Sequence, residues 1–182
     1  EVASNLKNVG GIVAHTSGSV PMEVLKDNSD YGVFYPLQTF SKKRIIDMKD
    51  VPFCIEAKSE TELNLLMNLA LTISNNVKNV SSEQRKILHL MAVMVSNFSN
   101  HLYHLAHDIL ATNNLSFDFL IPLINETALK IKDVHPSDAQ TGPARRKDVS
   151  TIDEHMKMLN AFPEYKEIYR LLSEQIMKKY HE

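Results

Sequence analysis

The stretch Ile87-Leu88-His89-Leu90-Met91-Ala92-Val93-Met94-Val95 decides how this chain is organised. It is apolar on every side of a helical wheel, which is typical of a helix that runs through the middle of a core. Ser81 and Gln84, just before it, have the spacing of a capping box and predict that the helix begins near Ser81. We expect it to continue to about Thr112, a length on the order of 45 Å at 1.5 Å per residue.

The second half of this helix carries polar residues. At 100° per residue, Asn97, Asn100, His101 and His104 form one stripe, opposite a stripe that contains Phe98. Amides and imidazoles at the edge of a core need hydrogen-bond partners, and a ligand cleft is one place to find them. The alternative is a helix that has emerged into solvent. His101, His104 and His107 point about 60° apart in succession, so we predict no metal site.

The residues around this helix divide the chain in two. Residues 1–58 contain three short apolar runs, 11–15, 31–35 and 51–56, with a possible short helix over 21–26. Such runs predict buried strands of a mainly parallel sheet, and three strands are too few to complete one. Residues 59–182 have helical periodicity. A first helix has an apolar face from Leu63 to Val77, the long helix is the second, and a third runs from Phe117 to Ile131. A polar loop over 135–149 precedes two last helices, around Ile152–Leu159 and from Pro163 onward.

Composition limits the function classes. The chain has 182 residues, is 43% hydrophobic and carries a net charge of -2, which gives no reason to expect a nucleic acid or an anionic membrane as partner. No apolar stretch reaches the ~18 to 20 residues of a membrane span, and no signal peptide is visible. The only cysteine, Cys54, lies in an apolar run and is expected to be a buried thiol. These features favour a cytoplasmic protein.

Three loops could hold a ligand. Thr16-Ser17-Gly18-Ser19 follows the first predicted strand, and Gln38 follows the second, so both should lie at the carboxyl end of the sheet, where open parallel sheets bind ligands. An ordinary tight turn would use the same small residues. The late loop, 140–148, is either a surface connector or a flap that brings Thr141 and an arginine to an anionic ligand.

Taken together, five segments resemble one family. They are His15-Thr16-Ser17-Gly18-Ser19, residues 35–40 (YPLQTF), residues 82–85 (SEQR), residues 96–101 (SNFSNH) and residues 140–146 (QTGPARR). These are similar to the NADP oxidoreductase-like proteins that join a Rossmann-like domain to a helical domain of unknown function. More distantly, the chain resembles pyrroline-carboxylate reductases and the 6-phosphogluconate dehydrogenase superfamily.

The resemblance implies an α/β plus all-α architecture. Residues 1–58 would be the C-terminal part of a Rossmann-like nucleotide-binding sheet, and residues 59–182 a helical domain like the C-terminal domain of 6-phosphogluconate dehydrogenase. It further implies NADP or NAD as cofactor, a small-molecule substrate in the cleft between sheet and helical domain, and a homodimer formed through the helices. No nucleic acid and no membrane are expected as partners.

The resemblance also implies roles for individual residues. By position, His101, Asn97 and Asn100 would be catalytic, with His101 or His15 as acid or base. His15, Thr16, Ser17, Gly18 and Gln38 would bind the cofactor. Thr141 and Arg146 would bind a substrate anion. The implied reaction is hydride transfer between a nicotinamide and a small polar substrate.

Two departures from the family pattern are present. The long helix has no counterpart of the catalytic lysine that some dehydrogenases of the superfamily carry there, and no G-x-G-x-x-G occurs in the chain. We therefore expect this chain to be the C-terminal two-thirds of such an enzyme. The alternative is a non-catalytic helical dimerisation or ligand-binding module.

Overall fold

The structure is a computed structural model that describes residues 10–181. Residues 1–9 of the predicted first domain, and residue 182, lie outside the described residues. The strands are β1 (Val13–His15), β2 (Tyr31–Pro36), β3 (Phe53–Ala57) and β4 (Val77–Asn79). The α-helices are α1 (Glu60–Leu71), α2 (Ser82–Ala92), α3 (Ser99–Thr112), α4 (Ile121–Lys130), α5 (Pro136–Ala139), α6 (Pro143–Arg146), α7 (Val149–Met158) and α8 (Pro163–His181).

Shorter helical pieces connect these elements. Single 3₁₀ turns cover Met22–Leu25, Met48–Asp50, Phe117–Leu120 and Leu159–Ala161, and a π-helical segment, Val93–Phe98, joins α2 to α3. The predicted long helix is therefore confirmed over residues 82–112, with Ser81 and Gln84 forming the expected capping box. The π-helical segment was not predicted, and such segments occur frequently at functional sites.

The four strands form one mixed sheet in the order β1-β2-β3-β4 among the described residues. The β1/β2 pairing is parallel, as expected, whereas β2 and β3 are antiparallel, with Gly32 opposite Ala57 and Pro36 opposite Phe53. The fourth strand, which was not predicted, pairs parallel to β3. Because β1 and β2 are parallel, the loops that follow them leave the sheet at the same end. This confirms the placement expected for the Thr16–Ser19 loop and for Gln38.

The core of the sheet lies under α1. Val51, Phe53 and Ile55 pack with Leu66 and Ala70 of α1, and Phe34 lies against Phe53 with ring centroids 5.1 Å apart. The helix comes so close to the sheet that a Cβ at Gly32 would lie 2.8 Å from the Leu66 side chain. Cys54 is 3% exposed, which confirms the expected buried thiol, and burial raises its pKa.

The prediction that the first helix reaches Val77 is wrong. Helix α1 ends at Leu71, and Ser74 then turns the chain by donating a 2.6 Å hydrogen bond to the Val51 carbonyl. This places Val77 beside Phe53 as the first residue of β4. The polar run Ser74-Asn75-Asn76 was the signal for the turn, since these side chains compete with helical hydrogen bonds.

The prediction that the long helix runs through a core is also wrong for its apolar half. Ile87 is 63% exposed and Val95 is 75% exposed. The reason is that α1 already covers the apolar face of the sheet. The start of α2 instead contacts the sheet through polar side chains, chiefly Ser82 and Arg85.

The chain divides into two compact units, Glu1–His101 and Leu102–Glu182. The first contains the sheet, α1, α2 and the π-helical segment; the second contains most of α3 and the remaining helices. The domain boundary expected between residues 58 and 59 stays a prediction. In the second unit the predicted third helix and the two last helices are confirmed, whereas the 135–149 segment is not entirely loop, because Pro136 and Pro143 begin the short helices α5 and α6.

Candidate functional site

The loop after β1 is ordered by its own side chains. The Ser17 hydroxyl accepts hydrogen bonds from the backbone N–H groups of Ser19 and Val20, at 3.4 and 3.2 Å. The Ser17 N–H in turn donates to Nδ1 of His15 at 3.2 Å. These local bonds are those of a serine turn, so the loop has a defined shape before any ligand arrives.

A buried arginine attaches this loop to α2. Arg85 is 0% exposed and donates to the carbonyls of Ser17, at 3.1 Å, and Val20, at 2.6 Å. Its guanidinium also pairs with Glu56 of β3 at 2.6 Å and donates to the Ser82 hydroxyl at 3.1 Å. Five donors in a fixed planar arrangement allow one arginine to connect a loop, a strand and a helix.

Glu56 completes the network from the sheet. Its carboxylate accepts from the backbone N–H and the hydroxyl of Ser82, at 2.9 and 2.7 Å, in addition to Arg85. Ser82 also accepts a hydrogen bond from the Met22 backbone N–H at 3.1 Å. The charge of Arg85 is thus balanced within the protein.

A tyrosine–histidine pair lies next to the loop. The Tyr35 hydroxyl, near the end of β2, is 3.3 Å from Nδ1 of His89 on α2. Gly18 packs against both rings: a Cβ there would lie 2.6 Å from His89 Nδ1 and 2.8 Å from Tyr35 Cζ. Burial raises the pKa of Tyr35, with the nearby Cys54 as a second cause, so the phenol is the form present at neutral pH.

Tyr35 and His89 both line a groove of about 540 Å³ in the first unit. One side of the groove is the segment that ends β2, and the other side is α2 with the π-helical segment. Its lining consists of apolar side chains with a few amide, hydroxyl and ring groups: Tyr35, Leu37, Gln38, Thr39, Leu88, His89, Met91, Ala92, Val93, Val95, Ser96 and Asn97. An apolar surface with a few convergent polar groups is the usual composition of a small-molecule site.

His15, at the end of β1, has an incomplete set of hydrogen bonds. Its Nδ1 accepts from Ser17, while its Nε2 is buried with no hydrogen-bond partner within the protein. Burial lowers the pKa of His15, and the positive charge of Arg85 lowers it further. A neutral imidazole with an unsatisfied buried nitrogen costs free energy unless a ligand or a water molecule completes it.

Comparison with known proteins places this arrangement in a family. Residues 51–176 match the domain of unknown function DUF2520. The chain belongs to this family. No curated protein matches it.

Two solved structures share the fold of this DUF2520 protein. One is a candidate NADP oxidoreductase of Bacteroides fragilis, with 48% sequence identity and a TM-score of 0.89 over 92% of the present chain. The present chain spans 65% of the length of that protein. The other is the protein TM1727 of Thermotoga maritima, with 26% identity and a TM-score of 0.78, where the alignment covers 97% of this chain and 72% of that one. The DUF2520 chain thus has an oxidoreductase-like fold with a Rossmann-like sheet.

Within the DUF2520 chain, the structure brings several of the predicted site residues together. Gln38 and Asn97 both line the groove, and Gly18 packs on two of its lining rings. His15, Thr16 and Ser17 precede Gly18 in the same loop. The roles predicted for these residues stay predictions.

Other predicted residues do not line this groove. Asn100 and His101 follow the π-helical segment on α3, and both side chains are exposed. Thr141 and Arg146 belong to the second unit, immediately before and at the end of α6 respectively, and are exposed as well.

His104 and His107 have a local partner in the second unit. Both lie 3.6 Å from the carboxylate of Asp108, which also accepts a 3.1 Å hydrogen bond from Tyr165. Within residues 10–181, no group of three or more histidine, cysteine or acidic side chains is arranged to hold a metal ion. No helix in the same range is long and apolar enough to cross a membrane.

Sequence reasoning missed four residues that build the site. Arg85, Glu56, Tyr35 and His89 had no assigned role, although Tyr35 and Arg85 lie in segments that carry the family resemblance. The sequence signal for Arg85 was its position in the long helix just before the apolar run that begins at Ile87. The partners of these side chains are distant in sequence, so their contacts follow only from the fold.

Proposed function

We propose that the chain is part of an NAD(P)-dependent oxidoreductase that transfers a hydride between a nicotinamide and a small polar substrate. The observation that carries the proposal is the groove between the end of β2 and the long helix, in a chain that is 48% identical to a candidate NADP oxidoreductase. A volume of about 540 Å³ lies within the range of small-molecule sites.

The residues of the first unit fit a nicotinamide cofactor. The unpartnered Nε2 of His15 is a buried polar atom to which a carboxamide group could form a hydrogen bond. The Thr16–Gly18 backbone and Gln38 lie at the same end of the sheet, because β1 and β2 are parallel. When bound, the nicotinamide supplies or accepts the hydride. The chain itself would hold the ring and the substrate in a groove whose apolar surface limits contact with water.

Polar side chains of the long helix would orient the substrate. Asn97 is the predicted catalytic residue that lines the groove, and its amide can both donate and accept a hydrogen bond. We include Asn100 and His101 in the proposal as the neighbouring catalytic candidates. Thr141 and Arg146 remain our candidates for binding a substrate anion, since a guanidinium is suited to a carboxylate or phosphate.

Dimerisation through the helices is part of the proposal. Large apolar side chains of the long helix are exposed, among them Leu90, Met94 and Phe98 at 57%, 50% and 57%. Exposed apolar surface of this kind often marks a site at which another molecule binds. A second copy of the chain would cover it, and we place the protein in the cytoplasm.

Titration of the full-length protein with NADPH and NADH tests the proposal. We expect quenching of protein fluorescence and a calorimetric binding signal with at least one of the two cofactors. Replacing Asn97 or His101 by alanine should lower turnover and leave the fold intact. Asn125→Ala, an exposed asparagine on α4, is the matched control and should behave like the wild type.

A failure to bind either NADPH or NADH would support the non-catalytic alternative. If neither cofactor binds, the oxidoreductase proposal fails. The exposed apolar side of the long helix then favours a non-catalytic dimerisation or ligand-binding module. Sedimentation of the same sample then tests this alternative, because a dimerisation module must be a dimer and a monomer would contradict it.

A further inference from the structure

The groove contains few groups that can give up a proton. Among the described residues that line it, Tyr35 and His89 are the ones with titratable side chains; the other polar groups are amides and hydroxyls of Gln38, Thr39, Ser96 and Asn97. The nearest charged pair, Arg85 with Glu56, is engaged in its own hydrogen bonds, and Arg85 is fully buried. Any proton that a reaction in this groove requires therefore has few possible donors.

The geometry of the pair suits proton donation. The Tyr35 hydroxyl and His89 Nδ1 are 3.3 Å apart, and the two rings meet edge to face with centroids 6.3 Å apart. Because Gly18 fills the space against both rings, neither side chain can swing toward the loop. Burial raises the pKa of Tyr35, so release of its proton depends on a partner that stabilises the phenolate. A hydrogen bond from His89 stabilises the phenolate that forms when the proton leaves.

We propose that Tyr35 is the proton donor of the reductive reaction and that His89 is its hydrogen-bonding partner, with an uncharged carbonyl group as the part of the substrate that enters the groove. This rests on the proposed function. As the carbonyl carbon receives the hydride of NADPH, the two π electrons of the C=O bond move to the oxygen. That oxygen takes the Tyr35 proton and becomes a hydroxyl. The tyrosinate accepts a hydrogen bond from Nδ1–H of His89 and regains its proton from water.

The choice of an uncharged carbonyl follows from the lining. Apolar side chains such as Leu88, Met91 and Val95 form much of the surface, and within the described part of the chain no lysine, arginine, aspartate or glutamate lines this groove. An ionised group placed there would find no counter-ion among these lining residues. An aldehyde or ketone with an apolar neighbouring group needs no counter-ion.

The second unit contains a matched pair for the test. Tyr169 and His155 are 2.8 Å apart from hydroxyl to Nδ1, and their rings also meet edge to face, with centroids 5.6 Å apart. Tyr169→Phe therefore removes a similar hydroxyl from a similar partner. It does so outside the groove that Tyr35 lines.

The experiment uses the full-length protein with NADPH and benzaldehyde, followed by the loss of NADPH absorbance. We expect the wild type to reduce benzaldehyde and Tyr35→Phe to lower kcat by about 10²- to 10⁴-fold, the usual contribution of a general acid. The Kd of NADPH, measured by fluorescence, should stay within about twofold because Tyr35 acts on the substrate. Tyr169→Phe should change neither quantity.

A second readout does not depend on turnover. In ¹⁵N NMR spectra of the imidazoles, Tyr35→Phe should shift the Nδ1 signal of His89 and leave that of His155 in place, and Tyr169→Phe should do the reverse. An unchanged His89 signal in Tyr35→Phe would overturn the pairing. Equal losses of kcat in both tyrosine variants, or no loss in Tyr35→Phe, would overturn the assignment of the donor.

The two proposals fail in different ways. If the wild type binds NADPH but does not reduce benzaldehyde, the carbonyl inference is wrong and the cofactor proposal stands. If the wild type binds neither NADPH nor NADH, the proposed function itself is wrong.

Discussion

Each unit of this protein contains one arginine bound to carboxylates and one tyrosine hydrogen-bonded to a histidine, but the surroundings differ. In the first unit, Arg85 is fully buried and connects the loop after β1 to α2 and β3. In the second unit, Arg170 is exposed on α8 and bonds to Glu167 and Glu174 of the same helix. The buried pair of Arg85 and Glu56 therefore connects separate elements of the fold, whereas the exposed pairs of Arg170 lie within one helix.

The tyrosine–histidine pairs are more alike than the arginine pairs, since both are half-buried and both join two elements of the fold. Tyr35 and His89 come from a strand and a helix and pack against Gly18, whereas His155 and Tyr169 join α7 to α8. The first pair lines the groove in which we place the reaction. For these pairs, the Gly18 contact and the position in the groove distinguish the candidate site, whereas burial distinguishes the two arginines.

The largest expected effect comes from removing the buried arginine. Arg85→Met leaves the Glu56 carboxylate without its ion-pair partner, and we expect a loss of about 3–5 kcal/mol in the free energy of unfolding. Urea denaturation measures it. Arg170→Met, which breaks an exposed pair, should have a much smaller effect. Equal losses from the two substitutions would contradict the distinction between the units.

A methyl group at Gly18 tests how tightly the Tyr35–His89 pair is held. Gly18→Ala places a Cβ within 2.6 Å of the His89 ring, so the ring or the loop must move, and overpacking of this kind costs about 1–3 kcal/mol. Thermal denaturation measures the loss. Gly10→Ala, where a Cβ would meet nothing within 4 Å, is the control. If Gly18→Ala is as stable as the control, the loop is not packed against the pair as described.

The cap at the start of α2 can also be tested, and this helix carries both Arg85 and His89. Ser81→Ala removes the hydroxyl that accepts the Gln84 N–H at 3.3 Å, and the loss of such a cap costs about 1 kcal/mol. Ser59 precedes α1 without capping a backbone N–H. Ser59→Ala should therefore reduce the free energy of unfolding by less, and a reversed order would show that the capping box does not determine where α2 begins.

The smallest expected effect is a pH dependence that belongs to the first unit. Burial, and after it the charge of Arg85, lowers the pKa of His15 from its ordinary value in the folded state, while the Pro21 backbone and then Glu56 oppose this shift. The unfolded chain then binds more protons as the pH falls, so this contribution to stability is present above about pH 6.5 and is lost below it. His15→Gln should reduce the slope of unfolding free energy against pH between about pH 5 and 7.

Much of the fold was predictable from local patterns. The capping box at Ser81 and the periodicity of α7 and α8 are short-range signals, and the structure confirms them. The small residues after His15 predicted a turn at the carboxyl end of β1, and the Ser17 hydrogen bonds form a turn there. Local hydrogen bonding and side-chain periodicity act over a few residues, so one sequence is enough to predict them.

The candidate site was only partly predictable. Gln38 and Asn97 were expected to face a ligand, and both line the groove. The apolar run of the long helix was expected to be buried, yet Ile87 and Val95 are exposed, because hydrophobicity does not say whether the covering surface is in the same unit or in a partner.

By itself, the sequence determined three of the four described strands, most of the helices, the start of the long helix and the family resemblance, because each depends on residues close together in the chain or on matching motifs. Only the tertiary structure decided that β2 and β3 are antiparallel, that Arg85 pairs with Glu56, and that Tyr35 meets His89. These contacts join residues from 17 to 54 positions apart. Their formation depends on how the whole first unit packs, which no local pattern of side chains records.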